Sequence, residues 1–140
     1  MKKTSRIKAP QQNSGKRVSV LETENYDDMA IIFSLERLQD GEFCLSGLDQ
    51  LHKANFAESI FKRRTMSWRE LKQTGRHGLG FEKIPRDKIK AGIPRFITDD
   101  NDYFLAFRFK GKAPMVGYRL HNIFYVLWFD QKFNLYNHGS

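Results

Sequence analysis

The sequence predicts an α+β domain in which an antiparallel β-meander carries two consecutive helices on one face. Three observations support this. Asn55-Phe-Ala-Glu58 and Ser67-Trp-Arg-Glu70 each pair a capping residue with a Glu three positions on, so that side chains satisfy the first free amides of a helix. Beyond residue 102 the chain breaks into strand-length segments separated by turn residues. Within that region Ile123 to Phe129 is apolar on both faces, as a covered central strand must be.

Taken in order, residues 1–17 are polar and carry six Lys or Arg and no acid, with Pro10 and Gly15 among them. They have almost nothing to bury and are expected to form a disordered basic arm. Residues 18–140 are expected to form one domain, a length that closes a single core. Met29 to Leu38 and Glu42 to Leu45 carry the first apolar density, separated by the turn signal Asp40-Gly41. The first run fits a strand or a helix over 28–39, since Ile31, Ile32, Leu35 and Leu38 also follow a 3.6-residue period. The run around Phe43 reads as a short return strand.

The two capping signatures start helices near residues 56 and 68. The first turns Phe56, Ala57, Ile60 and Phe61 inward and ends in Lys62, Arg63 and Arg64, where positive charge complements the helix dipole. Residues 75–80, with three glycines, form a loop. Phosphate cradling of the nucleotide-binding kind is excluded there, because neither a Gly-Lys-Ser/Thr pattern nor a preceding buried strand accompanies it. Phe81 to Ile84 reads as a brief strand, and Pro85 to Ala91 as a helical turn closed by Gly92 and Pro94. The meander then runs through Tyr103–Lys110, Met115–Leu120, Ile123–Phe129 and a final strand Phe133–His138.

Composition narrows the function classes. The single cysteine, Cys44, excludes an internal disulfide and reads as a small core residue. No apolar run reaches membrane-spanning length and the Lys-rich start lacks a signal peptide's apolar stretch, so a cytoplasmic protein is expected, with no membrane partner. The net charge of +8 divides as +6 over residues 1–17, −7 over 18–50 and +9 over 51–140. That asymmetry points to an anionic partner for the last two-thirds, a phosphate backbone being the commonest; a solvated basic surface explains the charge equally well.

In a strand, residues two apart share a face, so Arg108 and Lys110 project together, and in the last strand so do Asn134, Tyr136 and His138. The intervening strand adds Tyr118 or Arg119, depending on register. Such a face suits cleavage of RNA by its own 2′-hydroxyl, which needs a base, cations for the charge growing on phosphorus and an acid for the leaving oxygen. Glu82 or His138 fits the base, Arg108 and Arg119 the phosphate clamps, and His138 or Tyr136 the acid. No metal or other cofactor is called for, and the spacing of Cys44, His52, His77, His121 and His138 does not read as a metal site. RNA contacts are expected from Lys62, Arg63, Arg64, Arg69, Lys72, Arg76 and Lys110.

Over roughly residues 54–138 the chain resembles the RelE/ParE superfamily of bacterial toxins, and within it the YoeB-like ribosome-dependent messenger RNA endonucleases. The likeness lies in two consecutive helices, a meander with a basic face, the hairpin over residues 117–126, and a terminal Tyr136-Asn137-His138 similar to the family's Tyr-His-Tyr ending. It implies a toxin-type, metal-independent endoribonuclease with a RelE-like fold, Glu82 as the family's catalytic Glu, a ribosome as working partner and a small neutralising antitoxin. Two readings from other classes remain open: a noncatalytic nucleic-acid-binding or regulatory protein using the same basic face, and an interaction protein whose aromatic surface binds another polypeptide.

Overall fold

A computed structural model describes residues 26–138. The basic arm over residues 1–17 lies outside the described residues. Five strands and two helices follow one another: β1 (Ile32–Ser34), α1 (Gln50–Arg63), α2 (Trp68–Thr74), β2 (Phe81–Pro85), β3 (Tyr103–Lys110), β4 (Ala113–Leu120) and β5 (Ile123–Phe129). They form an α+β domain around one mixed sheet of order β1-β5-β4-β3-β2. β2 to β5 are antiparallel neighbours, whereas β1 runs parallel to β5 with Ile32 opposite Ile123.

β3 and β5 occupy the spans their patterns predict, and α2 starts where its capping box places it: Ser67 Oγ accepts the Glu70 amide while the Glu70 carboxylate accepts the Ser67 amide. The first helix departs from expectation. It begins at Gln50 under an Asp49 cap, and Asn55 bonds from inside it to the Leu51 carbonyl. Phe56 and Ile60 reach the core, but Phe61 is 57% exposed and Ala57 is also exposed. The helix thus starts six residues before the position its Asn55–Glu58 signature indicates.

Two expected strands do not form. The segment around Phe43 is a turn running into a single 3-10 turn, touching β5 through Gln39 N to Leu127 O and Phe129 N to Phe43 O. The final strand Phe133–His138 is replaced by turns and bends, with Phe133 in the left-handed region at φ 62°. β5's outer edge is taken by β1 over Ile123–Tyr125 and by the Gln39 and Phe43 backbone at Leu127 and Phe129, so no ladder remains there for a further antiparallel strand. The helical turn expected over Pro85–Ala91 shrinks to Arg86–Lys88.

The sheet is covered on both faces. Phe56, Trp68 and Leu71 of the helices pack on Leu105, Phe107, Met115, Phe124 and Val126, defining a helix face. Phe104, Ala106, Val116, Leu127 and Trp128 point the other way, beside Ile84 of β2, and are covered by loop residues including Ile97, Leu135 and Tyr136. This loop face takes consecutive residues Leu127 and Trp128 because register shifts between Val116 and Gly117 opposite β5. Only glycine fits at 117, since a Cβ there would sit 1.8 Å from the Tyr125 carbonyl oxygen.

Candidate active site

The loop face gathers the chain end against β2 and β3. Glu82 pairs with Ala106 across the sheet, so Glu82 and Arg108 project to the same side. Beyond β5 the chain folds back over that side, fixed by Asp130. This carboxylate, 1% exposed, accepts the Asn134 amide at 2.7 Å and the Leu135 amide at 3.0 Å, and its Oδ2 lies 2.8 Å from His138 Nε2. An ionised carboxylate only accepts, so Nε2 carries the proton and Nδ1 is the nitrogen left for exchange. The Lys90 amide donates to the Leu135 carbonyl at 2.7 Å and completes the anchorage.

Tyr136 is buried in this fold-back, its ring stacked on His138 with centroids 3.9 Å apart. Burial pushes its phenol far above the ordinary value, and the negative charges of Glu82 and Asp130 push the same way, against Arg108 and Arg76. A phenol so placed stays protonated and serves better as a platform for the imidazole than as a proton donor to a leaving group.

The loop over 75–80 closes the corner next to Arg108. Gly80 N and Gly78 N both donate to the Gly75 carbonyl, and a Cβ on Gly80 would meet the Leu71 carbonyl at 2.5 Å, so the loop lies tight on the end of α2. It presents Arg76 and His77. Arg76 Nη1 donates to Glu82 Oε2 at 2.7 Å, and Arg108 Nη1 lies 3.3 Å from His77 Nδ1. A cavity of about 230 Å3 opens here, lined by Lys62, Arg76, His77, Arg108 and Lys110 with Glu58. With Arg63, which also lines it, five cations around one small cavity make an anion-binding corner.

Arg63 contributes to that corner as structure. Only 1% exposed, it donates Nε to Leu79 O, Nη1 to Ser59 O and Nη2 to Arg108 O, with its guanidinium over the Phe107 ring. Burial pulls it down to about 10, which leaves it charged at neutral pH. It ties α1, the glycine loop and β3 together, with all three guanidinium nitrogens bonded to backbone carbonyls.

The remaining expected cations lie elsewhere. Arg119 pairs with Phe124 in the β4–β5 register and faces the helices, where its guanidinium covers Trp68 and donates to Asp27 at 2.7 Å. Tyr118 is the residue of that strand that joins the loop face. Lys72 also pairs with Asp27, and Arg69 with Asp28. Arg64 folds onto the Phe61 ring and carbonyl. Of the residues expected to act together, Glu82, Arg108 and Tyr136 share the loop face with His138 stacked on Tyr136, Arg108 and Arg76 also line the cavity with Lys62 and Lys110, and Arg119, Arg64, Arg69 and Lys72 are engaged elsewhere.

Asp130 and His77 were not legible as members of the site. Asp130 reads as an ordinary turn residue, and His77 as part of a glycine loop. Among the described residues no three His, Cys, Asp or Glu side chains converge as a metal ion would require, and no helix is long and apolar enough to cross a membrane. Compared with protein families, with curated proteins and with solved structures, the chain shows no significant match.

Proposed function

We propose that the chain is a toxin-type endoribonuclease that cleaves messenger RNA by attack of the 2′-hydroxyl on the adjacent phosphate. The observation that carries this reading is the folded chain end: His138, oriented by buried Asp130 and stacked on Tyr136, sits on the sheet face that also bears Glu82 and Arg108. In the proposed reaction Glu82 takes the 2′-proton, the new P–O2′ bond forms as the P–O5′ bond breaks, and His138, entering the step as an imidazolium that keeps its Nε2 proton on Asp130, gives its Nδ1 proton to O5′. The products are a 2′,3′-cyclic phosphate and a 5′-hydroxyl. Arg108, with Arg76 and Lys110, stabilises charge on the phosphorane-like transition state. Arg119 has no part in this scheme, and Tyr136 positions His138.

The RelE-like assignment belongs to the same proposal and is supported by the α+β sheet with two helices on one face, although β1 adds a parallel edge. A ribosome would present the message, and a small acidic antitoxin would neutralise the corner at Arg108 and Lys110. Induced expression tests the reading: growth arrest with messenger RNA loss is expected from the wild type, and relief from folded His138→Ala and Arg108→Ala.

A second reading, noncatalytic RNA or DNA binding through the same corner, is favoured by the Arg76–Glu82 ion pair at 2.7 Å, which competes with proton abstraction by Glu82. Tight binding by a wild type that leaves RNA intact distinguishes it.

A further inference from the structure

On the helix face, at the opposite end of β3 from Arg108, a cavity of about 690 Å3 lies between α2, β2, β4 and the loop before β3. Trp68 and Leu105 floor it, and Phe81 and Tyr103 line it. Tyr103 is 43% exposed and carries Lys83 Nζ over its ring at 4.5 Å. Asp100, Asn101 and Asp102 supply polar groups along the lining.

Two cations of this cavity are already closed on an anion, supplied by the chain itself. Asp27 receives Arg119 Nη2 on Oδ1 at 2.7 Å and Lys72 Nζ on Oδ2 at 2.8 Å. Arg119 is fixed from behind, 4.4 Å above the Trp68 ring and bonded through Nε to the His121 carbonyl. A preorganised guanidinium and an ammonium on two oxygens of one group form the arrangement that takes two phosphate oxygens equally well.

We infer that this cavity is a site for a nucleoside monophosphate unit, with the phosphate replacing the Asp27 carboxylate between Arg119 and Lys72 and the base stacking on the aromatic lining at Tyr103. Size, aromatic lining and paired cations each meet one part of that ligand, a base stacking on an aromatic face whatever its identity. Asp27 acts as a tethered competitor: a ligand binds only in the fraction of molecules whose clamp is open, so its apparent affinity falls by that fraction. The unit is either a free nucleotide or one residue of an RNA strand; the second source rests on the RNA reading above, the first does not.

Calorimetric titration of adenosine and uridine 5′-monophosphate, and of a short single-stranded oligoribonucleotide, into wild type and Asp27→Asn tests this. If the clamp is open in about a tenth of wild-type molecules, Asp27→Asn binds about tenfold tighter. Adding Arg119→Ala to Asp27→Asn removes the gain. A gain for mononucleotides assigns a free-nucleotide site; a gain for the oligonucleotide alone assigns an RNA subsite. No gain for either probe, in a variant with the wild-type circular dichroism spectrum, overturns the inference. If Asp27→Asn does not fold, Lys72→Ala in the wild-type background is expected to weaken binding of the same probes, and unchanged binding overturns it. Since Asp27→Asn leaves Glu82, Arg108 and His138 untouched, failure here is separable from failure of the nuclease reading.

Discussion

His138 Nε2 lies 2.8 Å from Asp130 Oδ2, and the same buried carboxylate caps the amides of Asn134 and Leu135. One side chain therefore shapes the fold-back of the chain end and aims its imidazole. Asp130→Ala strips partners from two backbone amides as well as from His138, and is expected to cost about 3 kcal/mol in urea unfolding. His138→Ala, which leaves both amides bonded, is expected to cost less than half of that. Equal losses would mean that the carboxylate serves the imidazole alone.

Arg108 and Lys110 line the cationic corner at the edge of the sheet. For a single strand each phosphate contact contributes about 0.7 to the slope of log affinity against log salt. Arg108→Ala with Lys110→Ala should flatten that slope by about 1.4 while leaving the thermal midpoint near that of the wild type. An unchanged slope would remove the corner from RNA binding.

Arg63 fans its guanidinium onto the carbonyls of Ser59, Leu79 and Arg108. Arg63→Met leaves one buried and two part-buried acceptors without this donor and is expected to lose about 3 kcal/mol, and Arg63→Lys does not restore it because an ammonium cannot span the fan. Folded Arg63→Met should retain the wild-type salt slope, which separates a structural cation from a phosphate contact.

Acid titration reads the Asp27 clamp. The Lys72 hydrogen bond, reinforced by Arg119 and opposed by partial burial, holds the Asp27 carboxyl below its ordinary value. Below about pH 3.9 the unfolded chain takes up a proton at this position before the folded one does. The clamp's contribution is therefore full above that pH and is lost as pH falls through the lowered folded value. The stability difference between wild type and Asp27→Asn should shrink over that interval in urea unfolding; a difference independent of pH would show that the clamp contributes nothing through charge.

The strands and helix start that rest on local pattern were legible in the sequence. Tyr103–Lys110 and Ile123–Phe129 declare themselves through alternation and continuous apolarity, and Ser67 with Glu70 declares the start of α2. What escaped depends on distant partners. The parallel docking of Ile32–Ser34 on β5 is invisible in either segment, yet together with the Gln39 and Phe43 backbone bonds to Leu127 and Phe129 it removes the edge that a Phe133–His138 strand would need. That Glu82 and Arg108 share a face was readable because strand alternation fixes their side once Phe107 is inward. Arg119 was not, since its side follows from pairing with Phe124, and the acids that neutralise Arg69, Lys72 and Arg119 lie about forty residues or more away in sequence. Tyr136 and His138 meet through a tight turn instead of a strand face, so their proximity was anticipated by a geometry the chain does not adopt.

The most direct measurement of the central claim is end analysis of messenger RNA after incubation with purified wild type, His138→Ala and Arg108→Ala, with and without ribosomes. The account predicts fragments ending in 2′,3′-cyclic phosphate from the wild type, and loss of cleavage by about a hundredfold or more in each folded variant. Intact message with the wild type under both conditions, or undiminished cleavage by His138→Ala, would contradict it.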